Sequence, residues 1–195
     1  MTGAGSVPGL RERKKERTRS ELAAAARRLF ELHGYDAVTV ADIADAADVS
    51  VKTLFTYFRS KADLAMADLG RLDVIVEAVR TAHGPPAVAL ADAMLGILGT
   101  VDGVAVLASY HRAFGTAEAV QQRMPRLWSD LEDRLTAALA QSRRRTALPA
   151  DRYDAIKLAG IVRFLLSPEI ADGGLTARRL RSAIAQACAA SGLGS

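Results

Sequence analysis

The sequence predicts an all-α fold: a small N-terminal three-helix unit followed by a larger helical body. Three observations carry this reading. Apolar residues recur at three- and four-residue spacing along most of the chain, and no stretch alternates apolar with polar residues between turn signals. Alanine and leucine dominate with few β-branched runs, which suits helices packed through small side chains. The breaks fall at helix-stopping residues: Gly34, His83-Gly84-Pro85-Pro86, Gly99 to Gly103, Gly115-Thr116, Ala147 to Pro149, and Pro168 to Gly174.

Composition narrows the function classes. With 195 residues, 50% of them hydrophobic, the chain can bury a core as one domain or two small ones. Its single cysteine, Cys188, rules out an internal disulfide framework and fits a reducing cytoplasm, the expected location. No apolar run reaches the ~20 residues of a membrane span, and Met1 to Gly9 lacks the apolar core of a signal peptide. No membrane partner is expected. The three histidines, His33, His83 and His111, have no metal-ligand spacing, no Gly-rich phosphate loop follows a strand, and no nucleophile–base arrangement stands out. No catalytic residue, metal or cofactor is therefore predicted.

Met1 to Leu10 has no periodicity and reads as a disordered lead. The run Arg11 to Arg19 carries six basic residues against Glu12 and Glu16, a local balance of +4. From residue 20 to 64 the balance is −2. The positive field thus lies ahead of the first core helix, where it suits a polyanion; the plain alternative is a solvated charge run. This segment is either mobile or an N-terminal extension of the first helix. The chain divides into residues 1–16 as a flexible basic arm, 17–64 as the three-helix unit and 65–195 as the body.

Helix one is expected over Thr18 to His33, with Leu22, Ala25, Ala26, Leu29 and Phe30 on one face. Gly34 is its stop, and Tyr35 plugs the small core. The stretch Thr39 to Leu64 organises the rest of the unit. Thr39 caps a short helix ending at Ala46, Ala47-Asp48-Val49 forms a tight connection, and Ser50 caps a second short helix. That helix buries Leu54 and Phe58, leaving Val51, Lys52, Thr53 and Thr56 on other faces. Two short helices joined by a three-residue turn outline a helix-turn-helix. Asp42, Asp45 and Asp48 fall on its solvated side. Ser60 caps a further helix predicted from Lys61 to Ala82.

The run VSVKTLFTYFRSKADL resembles the signature of the tetracycline-repressor (TetR) family of DNA-binding regulators. Val49, Ser50, Thr53, Leu54, Phe55, Tyr57, Phe58, Lys61 and Leu64 match its pattern, as do Phe30, Gly34-Tyr35, Thr39-Val40 and Ile43-Ala44 upstream. Asp48 departs from the family's glycine, but aspartate tolerates a left-handed backbone. The resemblance implies double-stranded DNA as partner, with contacts from the segment Ser50 to Tyr57. Lys52 suits a guanine O6/N7 pair or a phosphate, and Val51 a thymine methyl; Thr56 is free to enter the same groove. By resemblance Thr39, Thr53, Tyr57 and Lys61 touch phosphates. Phe55 either flanks the DNA or packs half-buried.

Beyond the break at Gly84, the body reads as five or more helices. Ala87 to Leu98 is apolar nearly all round, and Val104 to Phe114 is similar. Thr116 to Met124 is a separate short helix, and Pro125 begins an amphipathic one with Leu127, Leu131, Leu135 and Leu139. The closing helices are Asp151 to Leu166 and Thr176 to Ala190. In TetR-type proteins the last two helices pair with their symmetry mates, so a homodimer is implied; packing within one monomer is the alternative. Pocket candidates are Met94, Leu98, Tyr110, Phe114, Trp128 and Phe164, or these are plain core. Pro125 to Arg145 is similar to members that sense acyl-CoA-like ligands. The expectation is a homodimeric repressor, released from a palindromic operator by a small hydrophobic or amphipathic effector. The alternative is a DNA-binding activator or architectural protein with no inducer.

Overall fold

The computed structural model of the chain describes residues 9–67, 72–98 and 117–167, with 178, 182–184, 186 and 189 towards the C-terminus. Every regular element among the described residues is a helix. They divide into two compact units, Met1–Asp68 and Leu69–Ser195.

The N-terminal unit holds α1 (Leu10–His33), α2 (Val40–Ala46), α3 (Val51–Tyr57) and α4 (Lys61–Ala65). Helix α1 begins well before the predicted Thr18, so residues 10–16 are helical rather than a flexible arm. Arg, Lys and Glu are good helix formers, and a nucleated helix propagates easily through them. Leu22, Ala23, Ala25, Ala26 and Phe30 are its buried residues. Gly34 ends it at φ 79°, ψ 156°, a backbone that suits only glycine, and donates its N–H to the Phe30 carbonyl at 2.9 Å. The Tyr35 ring then packs on Phe30, centroids 5.2 Å apart, inside the small core as expected.

The predicted helix from Lys61 to Ala82 is two helices, α4 and α5 (Leu72–Thr81). Their apolar residues continue one spacing but serve two cores. Ala62, Leu64 and Ala65 are buried in the first unit, where α4 packs on α1; Leu72, Ile75 and Val79 belong to the second. Hydrophobic spacing reports that a face is buried, not against what.

The second unit continues with α6 (Pro86–Leu98), α7 (Glu118–Gln121), α8 (Met124–Ser142) and α9 (Pro149–Leu165). Helix α8 is its centre, packed on α5 and α9, with α6 against α5. Leu131, Leu135 and Leu139 of α8 meet Leu90 and Met94 of α6 and Leu158, Val162 and Leu165 of α9 in one apolar cluster that also takes in Ile184. The predicted helix Val104 to Phe114 and most of Thr176 to Ala190 lie outside the described residues. The α8–α9 turn passes through Arg144 at φ 51° and is closed by charge. Asp151, fully buried, accepts from Arg145 at 2.5 and 2.9 Å, from Arg143, and from the Leu148 N–H at 2.8 Å. No helix among the described residues is long and apolar enough to cross a membrane.

Candidate nucleic-acid interface

Three hydroxyls set the frame of the head. Each caps a helix by accepting the backbone N–H three residues on: Thr39 from Asp42 (3.1 Å), Ser50 from Thr53 (3.0 Å) and Ser60 from Asp63 (3.1 Å). At Thr39 the cap is reciprocal. The Asp42 carboxylate accepts from the Thr39 hydroxyl and from its N–H, both at 2.7 Å, which holds the Asp42 carboxyl below its ordinary pKa. The turn between α2 and α3 reverses at Asp48, φ 52°, and the Val49 N–H donates to the Ala44 carbonyl at 3.0 Å. Aspartate thus adopts the left-handed conformation predicted for it, in place of glycine.

With Leu54 and Phe58 buried, α3 turns Val51, Lys52, Phe55 and Thr56 outwards. Phe55 is 48% exposed, a large apolar side chain left half in water. The Lys52 ammonium has no ion-pair partner among the described residues, and no acidic residue occurs from Val49 to Ala62. Thr56 donates its hydroxyl to the Lys52 carbonyl at 3.1 Å, and the Ser50 and Thr53 hydroxyls lie 2.8 Å apart. Thr53 and Tyr57 are partly buried at the edges of this face, while Thr39 is exposed at the start of α2. Seven residues span about 10 Å, a fit for a major groove about 12 Å wide. A neutral-to-cationic ridge of mixed apolar and hydroxyl groups is chemically suited to base edges and phosphates.

Lys61, assigned to a phosphate by resemblance, is committed inside the head. Its ammonium donates to the carbonyls of Tyr35 (2.7 Å) and Val38 (2.9 Å) and lies 4.2 Å from the Tyr35 ring centroid. Two of its three N–H groups are thereby used. Arg19, not singled out from sequence, does comparable work on α3. It donates to the Tyr57 carbonyl at 3.1 Å, and its guanidinium stacks 4.5 Å from the Phe58 ring centroid. Its position three residues before Leu22, on the inward side of α1, was the available signal.

Of the pocket candidates, Met94, Trp128 and Phe164 have described side chains. Met94 is buried in the core of the second unit, and Trp128 is partly buried against it. Phe164 is 50% exposed, whereas Leu158, Ile161 and Leu165 of the same helix are buried. The Leu98 side chain, Tyr110 and Phe114 lie outside the described residues.

By its caps, its turn and its exposed second helix, the N-terminal unit is a helix-turn-helix DNA-binding domain. Residues 22–67 match the family model of bacterial regulatory proteins, tetR family. TcmR, an HTH-type transcriptional regulator of Streptomyces glaucescens, is 39% identical over 97 residues, 48% of this chain and 43% of that protein. KstR, an HTH-type transcriptional repressor of Mycolicibacterium smegmatis, is 38% identical over 80 residues, 39% of this chain and 37% of its own. The chain therefore spans less than half the length of these curated relatives. A TetR transcriptional regulator from Rhodococcus sp. RHA1 aligns over 89% of this chain and 96% of its own with TM-score 0.56 at 19% identity, a likeness of fold alone. Residues 22–67 are thus similar to the N-terminal domain of tetR-family regulators, and that similarity covers this unit alone.

Proposed function

We propose that the protein is a transcriptional repressor that binds a palindromic operator as a homodimer and leaves it when a small hydrophobic or amphipathic ligand binds the body. The outward face of α3 carries the reading: Val51, Lys52, Phe55 and Thr56 are exposed on a helix-turn-helix whose two helices are both capped, with no acidic residue from Val49 to Ala62. Lys52 is assigned to a guanine edge, Val51 to a thymine methyl, and Thr56 to the same groove. Ser50, Thr53, Tyr57 and Thr39 are assigned to the backbone around it, with Phe55 at the margin. The relative KstR is itself named a repressor.

One head reads one half-site, so two-fold assembly is the economical way to reach operator affinity. A surface for it is available on α9. Tyr153, Ile156, Gly160 and Phe164 line one exposed row, and among the described residues nothing lies within 4 Å of where a Cβ at Gly160 would stand. Burying such a row against its symmetry mate, with the last helix beside it, fits a dimer through the last two helices. Ligand release occurs only if the ligand prefers one spacing of the two heads over another. A second reading, a regulator with no inducer, draws on Met94, which is buried in the apolar cluster of the second unit.

The test is genomic footprinting of the purified protein, then binding to the recovered fragment with and without acyl-CoAs and hydrophobic metabolites. A palindromic footprint lost in the presence of one compound supports the repressor reading. A footprint that none disturbs favours the second reading, and no discrete site overturns both.

A further inference from the structure

The first turns of α1 hold charges that work against the helix. Arg11, Arg13 and Lys14, set against Glu12 alone in the first turn, occupy the end where the helix dipole is positive and cations are disfavoured. Arg11, Lys15 and Arg19 are spaced by four, so like charges stack along one row. Arg11, Lys14 and Lys15 are exposed and have no ion-pair partner among the described residues. Arg17, by contrast, lies 3.6 Å from Glu21. Cations arranged for solubility alone would gain by alternating with acids, as Arg17 does.

The direction of the row is fixed by its last member. Arg19 is turned onto the C-terminal end of α3, to the Tyr57 carbonyl and the Phe58 ring. Counting towards the N-terminus of α1 by about 100° per residue, Lys15 lies about 40° and Arg11 about 80° round from Arg19 in one direction, while Arg17 and Arg13 lie about 160° and about 120° away on the other side. The row is therefore continuous with the edge of the α3 face.

We infer that Arg11 and Lys15 form a second contact surface for DNA, engaging backbone phosphates beside the groove that α3 reads. This rests on the DNA-binding reading above. The occupant is set by charge and place: a polyanion running alongside α3 offers the compensation that the helix itself withholds. Phosphates carry no base identity, so the surface raises affinity without sharpening sequence choice.

The experiment compares two variants of equal charge change in the full chain. Arg11→Gln with Lys15→Gln removes the row, and Arg13→Gln with Arg17→Gln removes its opposite face. Each is titrated onto an operator duplex and a random-sequence duplex between about 50 and 200 mM salt. The first pair is expected to lower the slope of log affinity against log salt by about 2 on both duplexes, at about 0.9 per phosphate released. The operator-to-random ratio is expected to hold. The second pair is expected to leave the slope unchanged. Thermal unfolding reads folding separately, and the first pair is expected to melt no lower than the parent chain. Equal losses from both pairs would make the effect one of net charge and overturn the proposal, as would an unchanged slope in the first. Failure of the parent chain to bind any duplex would overturn the DNA-binding reading instead.

Discussion

Lys61 closes the head on Tyr35. One ammonium donates to the Tyr35 carbonyl at 2.7 Å, reaches the Val38 carbonyl at 2.9 Å and sits 4.2 Å from the Tyr35 ring centroid. It thereby holds the connection between α1 and α2 against the start of α4. Tyr35 packs on Phe30, so the lysine also fixes the aromatic pair at the bottom of the small core. The position of Thr39 and α2, and through the turn that of α3, depends on this loop keeping its shape.

Lys61→Met keeps the apolar stem and removes the ammonium. Two partly buried carbonyls lose charge-assisted donors, so the head should lose about 2 kcal/mol. Thermal unfolding reads that loss directly. The salt slope of DNA binding should stay within error of the parent's. Full stability with a slope lower by about 1 would instead return Lys61 to a phosphate.

Lys52 is exposed on α3 and has no ion-pair partner among the described residues. Lys52→Ala should leave unfolding unchanged and weaken operator binding by about 1–3 kcal/mol, with preference relaxed at one base pair of each half-site. Selection from a randomised operator library reads both. A uniform loss on every sequence would place Lys52 on a phosphate.

The head is legible in the sequence because its boundaries are local chemistry. Thr39, Ser50 and Ser60 each cap across three residues, Gly34 stops α1 at a positive φ, and Leu54 and Phe58 mark the buried side of α3. The two cations that tie the head together are not legible in the same way. Arg19 acts over 38 residues and Lys61 over 26, and residue type does not say which lysine or arginine will find a distant carbonyl. The basic run reads as an arm because its charge density masks helix propensity. The body is harder. Apolar residues lie on several sides of α9, so spacing alone does not place Phe164 outside the core that Leu158, Val162 and Leu165 define.

That outward placement of Phe164 makes a prediction about assembly. Ile156 and Phe164 are half exposed on α9, away from the apolar cluster, so Ile156→Glu should leave the monomer fold intact. In a dimer joined through α9 it would bury two like charges near the symmetry axis. Sedimentation should then show monomer at concentrations where the parent chain is dimeric, with operator affinity falling in parallel. A variant that stays dimeric would move the interface off this row.

Asp151 offers a different kind of test, because two of its partners are arginines. Hydrogen bonds from Arg145, with further donors from Leu148 and Arg143, outweigh the cost of burial and hold its pKa at about 2, down from 3.8. A carboxyl with a lowered folded-state pKa stabilises the fold above the unfolded value and loses that contribution as pH falls through the folded one. The window therefore lies between about pH 4 and about pH 2. Asp151→Asn keeps the shape but leaves Arg143 and Arg145 facing a neutral group. Both arginines are about a third exposed and so partly relieved by water, which limits the cost at neutral pH to about 2 kcal/mol. Urea unfolding at pH 7 and again at roughly pH 2 to 3 should show the gap between parent and variant shrinking in acid, as the parent's own carboxylate protonates. A gap of the same size at both pH values would mean that Asp151 holds the α8–α9 turn by shape rather than by charge.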